Sequence, residues 1–407
     1  MCGGPRPEVP AMKKRFTKYS VVALFIGGFV MSWINFPTGI FSSHTRNNKG
    51  NTVNLPSCKG TGQFTTAPVE LDSFASIIPL GNLNPVAGHV TPTDHIYFSL
   101  RSQSGDPNDH SGLTIPVTVR SPGDVTLQEV QASEHMLLGK VTNDYRLAFS
   151  PCREMLFFYD HIRTLSPAIQ AALDKAKKPQ FCVNDKQGVT GQKMCNYLVS
   201  ASLKSGDVIG TAGGFSFDFG GYDLRTPTLA FINKKRTLGG FGQYFHTICP
   251  LDYFSPAALK TDLYNRVKNV RKNSNGLPNC GTTMQDMLGT IQGNWYMQGS
   301  TFKNGLQRFD QELAIVHSNT DPGMGVISVG GTIAQAAATN FIPAGEGTFN
   351  REPSQVGADG NIYCYQDQYA RGHFAIQLTD ANHLMIEYQI GACSTTTNFV
   401  QPTIYTR

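Results

Sequence analysis

Short runs of β-branched and aromatic residues, broken by Gly, Pro and Asp, recur along most of the chain. In the first half these are Ile96-Tyr97-Phe98-Ser99-Leu100, Ile115-Pro116-Val117-Thr118-Val119, Tyr145-Arg146-Leu147-Ala148-Phe149 and residues 154–159. Runs of this composition bounded by turn residues predict strands. Strands dominate again after residue 290, at Leu313-Ala314-Ile315-Val316, Gly325-Val326-Ile327-Ser328-Val329, Asn361-Ile362-Tyr363-Cys364-Tyr365, 374–378 and 384–390, with turns such as Asp359-Gly360 between them. One segment has a different pattern: Ser166 can cap a helix, Pro167 suits its first turn, and residues 168–178 supply helix formers with lysines near the end. A second helix is predicted from Ser255-Pro256. Lys260, Arg266, Lys268, Arg271 and Lys272 gather there, and the basic face reads as a solvated linker. The expected fold class is mainly β: an antiparallel β domain with an inserted helix over 73–254, a basic helical linker over 255–285, and a small C-terminal antiparallel β barrel or sandwich over 286–407.

The N-terminus has another character. Lys13-Lys14-Arg15-Phe16-Thr17-Lys18 is followed by an uncharged stretch to Thr45 whose apolar centre is 21–33. Basic residues before an apolar run mark a segment inserted with its N-terminus in the cytoplasm. This divides the region into a cytoplasmic basic flank (1–18), a signal-anchor or transmembrane segment (19–41) and a tether (42–72) that opens rich in Asn, Ser and Thr. Gly39-Ile40-Phe41-Ser42 is a poor cleavage motif, so an uncleaved anchor is favoured over a removed signal peptide. The expected location is the membrane with extracytoplasmic domains in the periplasm or on the cell surface, or outside the cell if the segment is cleaved.

The cysteines agree with export. Eight lie beyond this segment, an even number that reads as disulfides in an oxidising compartment. No C-x-x-C pair is present, which argues against a structural zinc site of the ribbon or finger type. The short spacings favour Cys182–Cys195 and Cys364–Cys393. The net charge of +5 is spread over 407 residues, with no Lys/Arg cluster interleaved with aromatics, so a nucleic-acid partner is not expected.

The candidate chemistry lies within residues 80–225. In order come Gly88-His89-Val90-Thr91-Pro92-Thr93-Asp94-His95-Ile96-Tyr97-Phe98, the strand pair of 115–125, Phe158-Tyr159-Asp160-His161-Ile162, the glycine turn of 205–214, and Phe215-Ser216-Phe217-Asp218-Phe219-Gly220. This series resembles the zinc endopeptidases of the lysostaphin and LytM type, which share the duplicated-hybrid-motif fold. In that family a histidine–aspartate pair precedes a "tPV.A..dG.V" strand pair. A "Y.HL" strand, a "G..iG..G.tG" turn and an H-x-H strand follow. Residues 115–125, Tyr159-Asp160-His161-Ile162 and residues 206–214 match the middle three.

The departures fall at the chemistry. The family's aspartate position is His95 and its first histidine position is Thr91. H-x-H becomes Ser216-Phe217-Asp218, while the "Y.HL" histidine is kept as His161. The resemblance implies one of two things. A rearranged zinc site could use His89, His95 and Asp218 as ligands, with His161 working as general acid or base on the metal-bound water. Alternatively, His89, Asp94 and His95 form a polar loop entering a strand, Asp94 serves as a turn or cap acceptor, and His161 is a hydrogen-bonded, half-buried histidine. The favoured expectation is an inactive copy that binds peptidoglycan or another wall polymer, or regulates its remodelling. An active zinc-dependent peptidoglycan endopeptidase is the runner-up. Gly293-Asn294-Trp295 and Arg407 resemble the lipocalin-like barrels, where a Gly-x-Trp strand packs under a late Arg, and this implies a third class, a carrier of small apolar molecules.

Overall fold

The computed structural model describes residues 45–46, 52–53, 55–104, 114–137, 140–184, 193–214, 216–237, 242–300, 308–367, 369, 371–394 and 397–407. The expected anchor at 19–41 lies outside them. Among the described residues no helix is long and apolar enough to cross a membrane.

The chain is mainly β, and its strands pair antiparallel. A two-residue hairpin, β1 (Thr45–Arg46) with β2 (Thr52–Val53), precedes two large sheets. The first holds β3 (Phe74–Ile78), β4 (His95–Leu100), β5 (Val117–Arg120), β6 (Val125–Leu137), β7 (Lys140–Ser150), β8 (Met155–Leu165), β9 (Phe181–Asn184), β10 (Lys193–Leu203), β11 (Val208–Ala212) and β12 (Phe217–Asp223). Its order is β3-β4-β12-β8-β7-β6-β10-β9, with β11 joining β5 to the far end of β8. Between β8 and β9 lies the inserted helix α1 (Pro167–Lys175). Ser166 caps it by accepting from the Ile169 N–H, and Ile169 is its buried anchor.

Alternation along these strands builds one core. Phe98, Phe149, Phe157, Tyr159, Phe217 and Phe219 lie on its inner face with Phe64 and Phe74, all fully buried. The second predicted helix, α2 (Ala257–Tyr264), is short. The chain after it is tied to the first sheet, with Leu263, Tyr264 and Val267 in that core and the Lys268 N–H donating to Ile77 O at 2.8 Å. Of the five basic residues only Lys260 lies on α2; Lys260 and Arg266 are half-buried, and Lys268, Arg271 and Lys272 are exposed beyond the helix.

The second sheet contains β13 (Gly293–Met297), β14 (Glu312–His317), β15 (Gly325–Val329), β16 (Ala337–Phe341), β17 (Tyr363–Tyr365), β18 (Gly372–Asp380), β19 (His383–Ile390) and β20 (Thr403–Thr406). Its order, β16-β15-β14-β13-β20-β19-β18-β17, pairs the first strand with the last. The result is a nearly closed barrel whose seam falls between β16 and β17. Trp295 is fully buried in its core and donates Nε1–H to Ile291 O at 2.8 Å. The Arg407 guanidinium lies over that indole at 4.1 Å and donates to the Gln292, Met287 and Thr290 carbonyls. The Trp–Arg pairing expected from the sequence is therefore present. Large side chains such as Tyr365, Tyr405, Phe341 and Phe374 share the core with Trp295.

Four disulfides close the described cysteines. Cys182–Cys195 and Cys364–Cys393 are the two short-range pairs read from the sequence, and Cys58–Cys152 and Cys249–Cys280 complete the set. Four such bonds point to an extracytoplasmic or secreted location.

Candidate functional site

The site is built by the alternation that also builds the core. On β4, Ile96 and Phe98 face inward, so His95 and Tyr97 stand on the opposite face. On β12, Phe217 and Phe219 face inward and Asp218 and Gly220 stand opposite. The register sets Asp218 beside Tyr97 on one side and Asp160 on the other, and Gly220 beside His95 and Phe158. A Cβ on Gly220 would lie 2.1 Å from Phe158 Cζ, so only glycine lets that ring cover the strand next to His95.

His161 reaches this face by a distortion. On β8, Tyr159 and Ile162 both belong to the core although two residues separate them. Against β7, Leu147 opposes Tyr159 and Tyr145 opposes Ile162, which leaves Arg146 alone against both Asp160 and His161. This is a β-bulge, the device by which a strand re-aims one side chain. His161 accordingly has φ +64°, a left-handed conformation that histidine tolerates better than most residues. At the same point β8 exchanges β12 for β11 as its neighbour.

The bulge completes an alternating series of carboxylates and imidazoles. Asp94 Oδ1 lies 2.9 Å from His95 Nδ1, and His95 Nε2 lies 3.6 Å from Asp218 Oδ2. Asp218 Oδ2 lies 3.4 Å from His161 Nε2, and His161 Nδ1 lies 3.0 Å from Asp144 Oδ2. The other oxygen of the central carboxylate, Oδ1, accepts a hydrogen bond from Ser216 Oγ at 2.6 Å. The Tyr222 hydroxyl donates to Asp94 Oδ2. All five members of the series are buried, none more than 5% exposed. His89 stands beside it, its ring 5.6 Å from that of His95. On the same face Arg146 pairs with Asp160 at 3.5 Å and stacks over Phe158 at 3.7 Å.

The electrostatics follow from these neighbours. Burial disfavours a charged His161, but the flanking carboxylates of Asp144 and Asp218 outweigh it and hold its pKa well above the ordinary value. Burial likewise opposes charge on Asp218, yet His161 and His95 keep its carboxyl below the usual range. His89 is driven down to about 3 by burial and by the neighbouring His95, so its imidazole is neutral. Burial lifts Asp160 to about 6 against the pull of Arg146.

Farther along the sheet, burial raises Glu129 to about 7, although it accepts from Asn196 Nδ2 at 2.7 Å and lies near Arg146. Its folded pKa thus exceeds the unfolded value, and the folded state holds the proton more tightly. That contribution is full below about pH 4.5 and is lost as pH rises towards about 7. Between about pH 5 and about pH 7, the urea midpoint of the wild type is expected to fall relative to that of Glu129→Gln. Parallel curves for the two proteins would show that Glu129 carries no such linkage.

The structure therefore gathers His89, His95, His161 and Asp218 on one face. Asp94 binds the His95 ring and Tyr222, in place of the turn or cap role open to it from the sequence. Asp144 was missed. Its available signal is the alternation of Asp144 and Arg146 in a strand whose other members, from Tyr145 to Phe149, are apolar.

The chain matches no protein-family model, no curated protein and no solved structure. The functional argument therefore rests on the site itself.

Zinc, which the LytM resemblance implies, needs three ligand atoms around one ion at about 2.0–2.2 Å. Among the described residues, the only ligand-type side chains that come within 4.8 Å of one another as a group of three are Cys58, Cys152 and Glu154. Both sulfurs of that group are joined in the Cys58–Cys152 disulfide, and Glu154 Oε2 accepts the Cys58 N–H at 2.8 Å. The His/Asp cluster does not meet that spacing. Asp218 Oδ2 lies between the two imidazoles, 3.6 Å from His95 Nε2 and 3.4 Å from His161 Nε2.

Proposed function

We propose that this chain is an exported cell-envelope protein, anchored through residues 19–41, whose first β domain is a degenerate LytM-like module. On this reading it binds peptidoglycan or another wall polymer, or regulates its remodelling, without cutting it. Three motifs in the family's order support the relationship, and the four disulfides support export. The observation that carries the non-catalytic reading is the buried Asp94–His95–Asp218–His161–Asp144 series, in which both ring nitrogens of each histidine face carboxylate oxygens. The histidines are engaged with the protein's own acids, and Ser216 replaces a family catalytic histidine with a group that only holds Asp218.

The gathering of His89, His95, Asp218 and His161 on one face supports a second reading, a zinc-dependent hydrolase with the first three as ligands. The spacing of their ligand atoms does not support it.

Co-sedimentation of the full-length protein, in detergent, with purified peptidoglycan sacculi tests the binding reading. The protein is expected in the pellet, released by soluble wall fragments and unaffected by a chelator. Protein that stays wholly in the supernatant with sacculi of several compositions would refute it.

A further inference from the structure

We infer that the Cys182–Cys195 bond is a thiol-exchange site. A dithiol reductant reaches it from solvent, opens it before the other three disulfides, and so frees the end strand β9 from β10. This goes beyond the polymer-binding proposal and stands or falls separately from it.

The four disulfides differ in what an incoming thiolate meets. Cys249 and Cys280 are both buried in the main apolar core, and Cys152 lies there too. Cys58, the partner of Cys152, is half-buried. The Glu154 carboxylate lies within 4.8 Å of both sulfurs of that pair, where it repels an anion. Cys364 is buried and its partner Cys393 half-buried. Cys182 alone among these eight is exposed. Exchange requires a thiolate to reach a sulfur, so exposed disulfides are the labile ones.

Strand register sets the line of attack. Cys182 on β9 stands directly opposite Cys195 on β10, with Cα atoms 4.1 Å apart. The sulfurs of an opposed pair bridge from one strand to the next, and β9 is the last strand of the sheet. Displacement at sulfur runs in line with the bond that breaks, so a thiolate arriving from beyond the sheet edge meets Cys182 and expels Cys195. The exposed cation of Lys193, two residues from Cys195 on the same face of β10, favours the outgoing thiolate. The reductant's sulfur bonds to Cys182 Sγ as a mixed disulfide. The electron pair of the broken bond leaves on Cys195 Sγ, which takes up a proton. The reductant's second thiolate then attacks its own linked sulfur and expels Cys182, which is protonated in turn. Two electrons and two protons pass to the protein, and the reductant closes as a disulfide. β9 has four residues and pairs with β10 alone among the described strands. After reduction only that short ladder holds it, while Val199 and Leu203 keep β10 in the core.

The test titrates the full-length oxidised protein, in detergent and without denaturant, with dithiothreitol. Free thiols are trapped with iodoacetamide and mapped by peptide mass spectrometry, and amide hydrogen exchange follows β9. Cys182 and Cys195 are expected to be labelled at a reductant concentration about tenfold below that which labels the other six disulfide cysteines. The amides of Phe181–Asn184 are expected to exchange faster once that bond is open. Brief exposure to glutathione, quenched with acid, is expected to leave the mixed disulfide on Cys182. Another pair opening first, all four opening together, or no labelling without denaturant overturns the inference. Glutathione on Cys195 instead overturns the line of attack, and unchanged exchange in β9 overturns its release.

Discussion

Replacing Asp218 by alanine is expected to destabilise the first β domain by about 3–5 kcal/mol, the range for breaking a buried ion pair from one side. The size of the effect follows from its position. Its Oδ2 is the shared neighbour of His95 and His161, and its Oδ1 accepts from Ser216. Alanine leaves two buried imidazoles facing a void, the half-buried Ser216 hydroxyl without its acceptor, and the acids Asp94 and Asp144 still in place at the two ends. Asp218→Asn keeps the volume and the acceptor for Ser216 but removes the charge, so its loss is expected to be smaller than that of alanine. Chemical denaturation of the two variants against wild type checks this. A loss below about 1 kcal/mol for Asp218→Ala would show that the series is not a working ion-pair network.

Trp295→Ala carries the largest expected effect on the C-terminal barrel, about 3–5 kcal/mol for a fully buried indole. Three contributions lie behind that range. The side chain is fully buried at the centre of the eight-stranded core, its Nε1–H satisfies the Ile291 carbonyl, and its face carries the Arg407 guanidinium. Burial already makes Arg407 easier to deprotonate, moving its pKa down to about 10, and removing the indole takes away the surface on which it rests. Trp295→Phe separates these contributions. It keeps most of the apolar volume and is expected to lose chiefly the hydrogen bond, about 1 kcal/mol, together with part of the cavity cost. Equal losses for Phe and Ala would mean that packing of the ring does not dominate. Denaturant midpoints of both variants, with the slope unchanged from wild type, provide the check.

How much of this was legible in the sequence varies with the physics that fixes each element. Strands such as Gly325–Val329, buried along its whole length, and His383–Ile390, whose first half alternates buried and half-buried positions, were visible because burial on one or both faces selects apolar residues directly. Helix α1 was visible through its Ser166 cap and Pro167, although the predicted end at 178 overran the observed Lys175. The long strands Val125–Leu137 and Lys193–Leu203 were not visible as such. Gln128, Glu129, Gln131, Asn196 and Ser202 interrupt them, and these polar residues stand on the face that the core does not claim.

The two short disulfides followed from spacing, whereas Cys58–Cys152, separated by 94 residues, depends on tertiary closure that no local pattern encodes. At the site, the residue types were read from motif order, and the structure does bring them together. Their mutual orientation was beyond sequence reasoning. Whether His161 faces the core or the polar face is decided by a single extra residue in β8, and a bulge leaves no mark in hydrophobic periodicity. Asp144 could enter the account only once that bulge had brought His161 to it.

The measurement that tests the central claim most directly is release of soluble fragments from dye-labelled sacculi by the full-length protein in the presence of added zinc. The account predicts binding without release above the buffer control, in wild type and His161→Ala alike. Release by wild type that His161→Ala or Asp218→Ala abolishes would contradict it, and would make the rearranged His/Asp cluster a working hydrolase.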